Sequence, residues 1–208
     1  MKIFKRRMYC EPLTCKDINK ELIKSFYIER EKNFSNPMNT GGRIVGLEVY
    51  LKYSAWDDDL NGEIKAYVVK TYFSNEIVAY FALKTSAMII DNKISNAHDE
   101  GIYKHGKKLV SEFIPCVEIS HFAVNDYFRK KHNVKTLGNI IYPEFIYPII
   151  IKLSKIIGIR CILLYAAGDE HLVNYYEKVF GFEATQDKEV IPVMPYYDMG
   201  CVPMYYML

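Results

Sequence analysis

Residues 137–168 read LGNIIYPEFIYPIIIKLSKIIGIRCILLYAAG, a helix pattern followed at once by an apolar strand pattern. In the first part, apolar residues recur at every fourth position, which is typical of one face of a helix; they are Leu137, Ile141, Phe145, Ile149, Leu153 and Ile157. Gly158 ends this helix. The run 159–166 is strongly apolar apart from Arg160, as in a buried central strand. The sequence therefore predicts a helix that leads into the middle of a sheet.

A second helix and two strands follow the central strand. Asp169 is placed to cap a helix that carries Leu172, Tyr176 and Val179, and Gly181 is placed to end it. The segment 190–208 is rich in Pro and Tyr and predicts two last strands.

The region upstream of residue 137 predicts a hairpin and one further strand. Residues 66–73 and 77–83 are two β-rich runs joined by a short polar turn. Residues 91–108 are polar and mixed in charge, which predicts a long surface connection with room for a short helix. Residues 117–124 predict the next strand.

The first 60 residues predict helices. Ile18, Leu22 and Phe26 lie four apart, which favours one amphipathic helix over 14–30. A second helix runs from Leu47 to 57–59, where three aspartates stand at an end that the helix dipole disfavours for acidic groups.

The order of these elements predicts an α/β fold, a mixed sheet flanked by helices. Because the chain shows no repeat, linker or shift in composition, we expect a single domain over 1–208, with an N-terminal helical part at 1–60.

Composition and charge exclude several classes of protein. Hydrophobic residues make up 50% and charged residues 25% of the chain, so it is not a disordered sequence. A net charge of +2 makes nucleic acid an unlikely partner. Five cysteines without paired spacing predict reduced thiols in a cytoplasm, and scattered histidines predict no metal site. We expect no signal peptide and no membrane span.

Three segments together resemble the GCN5-related N-acetyltransferase family. Residues 115–125 (PCVEISHFAVN) are similar to the family's central strand, which splays from its neighbour to admit acetyl-CoA. Residues 133–138 (NVKTLG) stand where the family has its pyrophosphate loop, although Asn133 and Thr136 depart from the usual residues. Residues 172–182 (LVNYYEKVFGF) resemble the family's last motif, with one extra residue between Tyr176 and Gly181.

The resemblance implies an acetyl-CoA-binding core at 115–182. Main-chain groups of the splayed strand would hold the pantetheine, and main-chain N–H groups at the start of the next helix would hold the phosphates, because a helix N-terminus attracts anions. The residues so implied are Phe122, Ala123, Val124, Asn125, Lys135, Thr136, Leu137, Gly138 and Asn139. Further basic groups lie nearby, at Arg129, Lys130 and Lys131. The alternative is an ordinary turn glycine beside a solvated basic face.

The same resemblance assigns two catalytic roles. Tyr176 would give a proton to the departing sulfur, with Tyr175 as its substitute if the extra residue shifts the helix. Glu118 would take the proton of the amine; the alternative is a glutamate that lies at the sheet edge or faces outward. His121 is expected to be a satisfied strand histidine.

The expected activity is direct transfer of an acetyl group from acetyl-CoA to a primary amine whose identity the sequence does not give. Three alternatives stay open: a toxin-type acetyltransferase that acts on aminoacyl-tRNA, a catalytically silent acyl-CoA sensor or scaffold, and a resemblance in fold without CoA binding. The expected partners are acetyl-CoA and an amine-bearing small molecule, peptide or charged tRNA, and the chain could form a homodimer.

Overall fold

The computed structural model describes residues 7–29, 46–95, 103–104, 107–167, 170–185, 190–192 and 201–208. Contacts divide the chain into two compact units, the first formed by Met1–Lys84 and Ile119–Lys152, and the second by Thr85–Glu118 and Leu153–Leu208. The fold is of the mixed α/β class, as the sequence predicts. The expectation of a single domain stays a prediction.

The first unit begins with an edge strand that the sequence did not predict, β1 (Met8–Pro12), followed by a 3-10 turn (Leu13–Cys15). The predicted helix over 14–30 is shorter than expected. It consists of α1 (Ile18–Leu22) and a 3-10 turn (Ile23–Ser25), after which the chain becomes extended at Phe26.

The second predicted helix is broken at Ser54 into α2 (Leu47–Tyr53) and α3 (Ala55–Leu60). This break corrects the interpretation of the aspartates. Asp57 and Asp58 lie in the first turn of α3, where the dipole favours them. Asp59 is buried, and it accepts hydrogen bonds from Thr14 Oγ1 (2.8 Å) and Lys65 Nζ (2.7 Å).

The predicted hairpin is confirmed as β2 (Lys65–Thr71) paired antiparallel with β3 (Ile77–Ser95). The order in the first unit is β1, β2, β3 and then β5 (Lys107–Val124). Inside this unit Lys70 is only 1% exposed, and its ammonium is held by the Glu11 carboxylate and by Asn19 Oδ1 at 2.9 Å. The buried lysine thus ties β2 to β1 and α1.

The prediction of a surface connection over 91–108 is wrong for the part of this span that the structure describes, whereas residues 96–102, 105 and 106 lie outside the described residues. Strand β3 continues to Ser95, β4 (Tyr103–Lys104) pairs antiparallel with β5, and β5 already begins at Lys107. Polar composition did not prevent strand formation here, because backbone pairing with neighbouring strands stabilises it.

After β5 the chain forms α4 (Asp126–Lys131) and then a continuous helix over 138–157, which we call the long helix. It contains α5 (Gly138–Ile141), a π turn (Tyr142–Ile146) and α6 (Tyr147–Ile157). The π turn shifts the buried face by one residue, so the predicted stripe fails after Ile141. The buried positions are Leu137, Ile140, Ile141, Tyr142, Ile146 and Ile150, whereas Ile157 is 57% exposed.

The second unit contains the predicted central strand as β6 (Cys161–Ala167), which lies between β5 and β9 (Cys201–Met207). The helix after β6 consists of α7 (Glu170–Tyr175) and a terminal π turn (Tyr176–Phe180), and we call it the C-terminal helix. The predicted cap at Asp169 lies outside the described residues. Two short strands complete the unit, β7 (Glu183–Ala184) on β9 and β8 (Val190–Pro192) on β3.

Candidate functional site

The predicted cofactor residues all belong to the first unit. At the end of β5, Ala123 is buried, whereas the side chains of Phe122 and Val124 are half-buried. Asn125 is engaged within the protein: its N–H donates to Val78 O (2.8 Å), its Nδ2 to Ile77 O (2.9 Å), and its Oδ1 accepts from Tyr127 N (3.1 Å). The Asn125 side chain therefore caps α4 and fixes the point where β5 ends.

The loop between α4 and the long helix begins with a left-handed residue. Asn133 has φ +49°, and Val134 N–H donates to Arg129 O at 3.0 Å, which closes α4. Asn tolerates this backbone conformation better than Gln or Arg, and this explains why Asn stands at the first loop position. Asn133 thus departs from the family pattern because it caps the C-terminal end of α4.

The last loop residues lead into the long helix. Leu137 is buried, and its carbonyl accepts from Ile140 N and Ile141 N, both at 2.9 Å. Gly138 and Asn139 are half-buried, whereas Lys135 and Thr136 are exposed. The first N–H groups of a helix have no acceptor within it, so this end of the helix can receive an anion.

Three of the four basic groups near the loop are engaged in ion pairs. Arg129 contacts Asp126 (2.9 Å), Lys130 contacts Glu29, and Lys131 contacts Glu76. Over the part of the chain that the structure describes, no hydrogen-bond or ion-pair partner reaches the Lys135 ammonium. Of the four cations, Lys135 is therefore the one available to a phosphate without breaking an existing pair.

His121 has no catalytic features. Its ring stacks on Tyr50 with centroids 3.5 Å apart, and its Nδ1 lies 3.2 Å from Ser120 Oγ. Burial, with a contribution from Lys84, lowers the pKa of His121 to about 3. The imidazole is neutral at physiological pH, in keeping with its expected role as a satisfied strand histidine.

Glu118 and Tyr176 both belong to the second unit. Glu118 is 0% exposed on β5, so the alternative of an outward-facing carboxylate is excluded. Its charge acts on two neighbours, Tyr165 on β6 and Cys116 on β5. Burial, and then the Glu118 charge, raises the pKa of the Tyr165 phenol above its ordinary range.

Tyr165 is a residue that sequence reasoning missed. It packs against a buried cluster formed by Met88, Ile114, Cys116, Cys161 and Leu163. An apolar strand pattern shows that a tyrosine is buried, but it does not show which carboxylate lies beside the phenol.

Tyr176 lies within a group of aromatic rings at the end of the C-terminal helix. Its ring centroid is 5.8 Å from that of Tyr175, 6.0 Å from Phe180 and 5.9 Å from Phe182. Burial, and then Tyr175, raises the pKa of Tyr176 well above that of a free phenol. The phenol thus keeps its proton at neutral pH, and no described residue forms a hydrogen bond with its hydroxyl.

The π turn accounts for the extra residue between Tyr176 and Gly181. Gly181 has φ +74°, and Phe182 N–H donates to Tyr176 O (3.2 Å), which closes the helix as predicted. A π turn holds one residue more than an α turn, so the extra residue is absorbed between Tyr176 and the cap. This geometry favours Tyr176 over Tyr175 as the residue that matches the family tyrosine.

Among the described residues, no three His, Cys, Asp or Glu side chains are grouped as a metal ligand set. No helix within the described ranges is long and apolar enough to cross a membrane.

Comparison with known proteins identifies the fold. No protein-family model matches the chain, and no curated protein is significantly similar to it in sequence. Solved structures of bacterial toxins are similar in fold, and the chain has the mixed α/β fold of the GCN5-related N-acetyltransferases.

Three of these structures show how much of each chain the likeness covers. A KacT mutant matches with TM-score 0.57 and 13% identity, over 97% of this chain and 95% of its own. An AtaT mutant toxin bound to the C-terminus of the antitoxin AtaR and acetyl-CoA matches with TM-score 0.54 and 13% identity, over 97% and 93%. AtaT complexed with acetyl-methionyl-tRNAfMet matches with TM-score 0.54 and 15% identity, over 89% and 93%.

Proposed function

We propose that this protein is an acetyl-CoA-dependent N-acetyltransferase that transfers the acetyl group directly to a primary amine in a ternary complex. The observation that carries the proposal is the likeness, over 97% of the chain, to a protein solved with acetyl-CoA. The chemistry of the described residues supports it, since each step of the transfer has a group of the required kind.

The pyrophosphate of acetyl-CoA would bind at the start of the long helix. Main-chain N–H groups of Thr136, Leu137, Gly138 and Asn139 would donate to the phosphate oxygens, where the helix dipole favours negative charge. Lys135 would add a cation that no other described residue engages. Arg129, Lys130 and Lys131 would keep their carboxylate partners.

The pantetheine and the thioester would lie along the end of β5. Main-chain groups of Phe122, Ala123 and Val124 would hydrogen-bond the pantetheine, and one N–H there would stabilise the oxyanion that forms when the amine attacks. Asn125 would act indirectly, because its amide groups hold the strand end and α4 in place.

Tyr176 would act as the general acid. When the tetrahedral intermediate collapses, the carbon–sulfur bond breaks, and the Tyr176 hydroxyl would give its proton to the departing thiolate. The raised pKa of Tyr176 keeps this proton available at neutral pH.

Glu118 would act as the general base. It would take the proton that the amine loses on attack, directly or through a water molecule. Its complete burial on β5 excludes a purely solvent-facing role.

The first test is thermal unfolding with and without saturating acetyl-CoA. A ligand at a hundred times its Kd adds about 2.7 kcal/mol to the free energy of unfolding, which raises the midpoint by several degrees. Release of free CoA thiol in the presence of candidate amines then measures turnover. No shift at millimolar acetyl-CoA would contradict the proposal, whereas a shift without thiol release for any amine would favour the silent sensor.

The role of Glu118 has its own test. Glu118→Gln should lower kcat at neutral pH by about tenfold or more and should remove the fall of the rate on the acid side of the pH profile. Glu170→Gln, on the exposed first turn of α7, is the matched control and should leave both unchanged. An unchanged acid limb in Glu118→Gln would reduce Glu118 to a structural residue.

Aminoacyl-tRNA is a second candidate acceptor. It is favoured by the likeness to AtaT complexed with acetyl-methionyl-tRNAfMet. The test is acetylation of charged tRNA at increasing salt, because binding of nucleic acid through phosphates weakens steeply with ionic strength. No turnover with charged tRNA would exclude this acceptor, and turnover that is insensitive to salt would exclude binding through the phosphates.

A further inference from the structure

Two of the five cysteines, which are far apart in the sequence, are neighbours inside the second unit. Cys116 lies on β5, and Cys161 is the first residue of β6, the next strand of the sheet. The two backbones meet one residue before each cysteine, where Arg160 N–H donates to Pro115 O at 3.0 Å. Because paired strands lie about 4.8 Å apart, the two Cα atoms fall within the separation of about 4.4–6.8 Å that a disulfide spans.

Both cysteine side chains enter the same buried cluster. Cys116 is 2% and Cys161 is 0% exposed, and they pack there with Met88, Ile114 and Leu163. The two side chains therefore lie on the same side of the sheet, as a covalent bond between their sulfurs requires.

The two thiols differ in their tendency to lose a proton. Each sulfur lies near a main-chain carbonyl, with Cys116 Sγ 3.3 Å from Ile114 O and Cys161 Sγ 3.4 Å from Ile162 O. A hydrogen bond with Cys161 lowers the pKa of the Cys116 thiol, whereas the same contact, and then burial, raises the pKa of Cys161. Since the thiolate is the reactive form, Cys116 is the sulfur that attacks an oxidant first.

The remaining cysteines lie elsewhere in the chain. Cys10 and Cys15 belong to the first unit, and Cys15 is exposed. Cys201 is on β9 but pairs with Ala167, at the opposite end of β6 from Cys161. These three thiols therefore serve as internal references for the reactivity of the buried pair.

We propose that Cys116 and Cys161 form an oxidation site, at which hydrogen peroxide joins the two sulfurs in a disulfide between β5 and β6. The Cys116 thiolate attacks one peroxide oxygen, the O–O bond breaks, and a sulfenic acid and the first water are formed. The Cys161 sulfur then attacks the Cys116 sulfur, so that the S–S bond forms and the S–O bond breaks with release of the second water.

The reaction balances without a further reagent. The two thiols lose two electrons and two protons, and one molecule of peroxide gains them and becomes two molecules of water. A dithiol reductant reverses the reaction by thiol–disulfide exchange. The site does not require that the protein transfers acetyl groups, so it stands or falls separately from the proposed function.

Peptide mapping of the full chain after treatment with hydrogen peroxide tests the site. Remaining thiols are blocked with iodoacetamide in denaturant, and a peptide pair joined through Cys116 and Cys161 is the expected product. Cys161→Val, which keeps an apolar side chain in the core, should abolish the joined peptide. Cys201→Val, on β9 of the same unit, is the matched control and should leave it unchanged. If Cys161→Val fails to fold, Cys116→Val carries the same expectation.

Thermal unfolding of the oxidised chain is the second measurement. The midpoint should rise by several degrees, because the disulfide closes a long loop and restricts the unfolded chain, and dithiothreitol should remove both the shift and the joined peptide. Peroxide treatment of the denatured chain should give mixed pairs. The proposal is overturned if peroxide oxidises Cys15 while Cys116 and Cys161 stay free thiols, if the joined peptide comes only from cross-linked dimers, or if the denatured chain yields as much of it.

Discussion

The long helix and the C-terminal helix each contain one five-residue π turn, but the two turns have different causes. In the long helix the turn lies inside the element and includes the buried residues Tyr142 and Ile146, with Pro143 in it and Pro148 just after it. In the C-terminal helix the turn is the last one, none of its residues is fully buried, and it contains no proline.

The difference shows when a π turn is a backbone adjustment and when it positions a side chain. Pro148 cannot give a hydrogen bond to the carbonyl four residues earlier, and Tyr147 N–H reaches back five residues to Tyr142 O. The first turn is thus explained by proline. The second has no such cause, and what it does is hold Tyr176 at the start of the turn while Gly181 ends it.

The largest expected effect is at Tyr176. Tyr176→Phe should lower kcat about a hundredfold, because the departing thiolate loses its proton donor, and should leave the Kd for acetyl-CoA unchanged. Tyr175→Phe is the matched control, one residue away and also half-buried, and should stay within twofold of the wild type. The opposite result would mean that the π turn places Tyr175, and not Tyr176, at the thiol.

The dependence of kcat on pH is a second test of Tyr176 as the general acid. An acid must be protonated to act, and the pKa of Tyr176 is raised, so kcat should show no alkaline fall from this group up to at least the ordinary pKa of a phenol, about 10. A decline in kcat that begins near neutral pH and is lost in Tyr176→Phe would contradict the raised pKa.

The next effect compares the two ends of the long helix. Lys135→Ala should weaken acetyl-CoA binding about fivefold, since it removes a cation before the N-terminus where the phosphates are proposed to lie. Lys155→Ala removes an exposed lysine from the last turn and should not alter the Kd. Equal effects of the two changes would indicate only general attraction of an anion.

Both helices end near a glycine with a left-handed backbone, and these glycines form a third comparison. Gly158 has φ +69° with nothing near a new Cβ, and at Gly181 the nearest atom, of Tyr206, would lie at 3.6 Å, an ordinary contact. Alanine at either position should therefore cost about 1 kcal/mol of unfolding free energy from the backbone alone. Chemical denaturation measures this cost.

Turnover separates the two glycines. Gly181→Ala should also lower kcat, because the turn that it closes carries Tyr176, whereas Gly158→Ala should not. If both variants keep full turnover, the terminal π turn does not position the acid.

The smallest effect is expected at Pro148. Pro148→Ala restores a backbone donor at an exposed position. Because the π turn already accommodates the proline and alanine gives the unfolded chain more freedom, the net gain in the free energy of unfolding should be only about 0.5 kcal/mol, without a change in kcat. Chemical denaturation measures the free energy of unfolding, and release of free CoA thiol by the same preparation measures kcat. A loss of turnover would show that the internal π turn also serves the site.

Local sequence patterns predicted the elements whose stability is mostly local. The long helix, the β2–β3 hairpin, the central strand and the closure at Gly181 follow from apolar spacing and turn residues. The strands that were missed, β1 and the extension of β3 to Ser95, depend on pairing with distant segments, for example Met8 with Thr71 and Met88 with Pro192. Composition carries no trace of such pairing.

For the candidate site, the residue types could be predicted from the sequence, but their surroundings could not. Tyr176 and Glu118 followed from a motif, whereas the burial of Glu118 and the neighbouring phenol of Tyr165 required coordinates. Asn133 is instructive, since its departure from the family pattern became intelligible only once its left-handed backbone was known.

Because the ammonium of Lys70 is buried, chemical acetylation of this lysine reports whether the protein is folded. Acetic anhydride or a high concentration of acetyl-CoA modifies lysines that water can reach, and Lys70 is only 1% exposed, enclosed by Glu11 and Asn19. In a peptide map, an unmodified Lys70 beside acetylated exposed lysines shows that the labelled molecules were folded. Acetylation of Lys70 marks molecules that had unfolded. Acetylation of exposed lysines in the native protein can therefore be distinguished from labelling of unfolded protein in the same preparation.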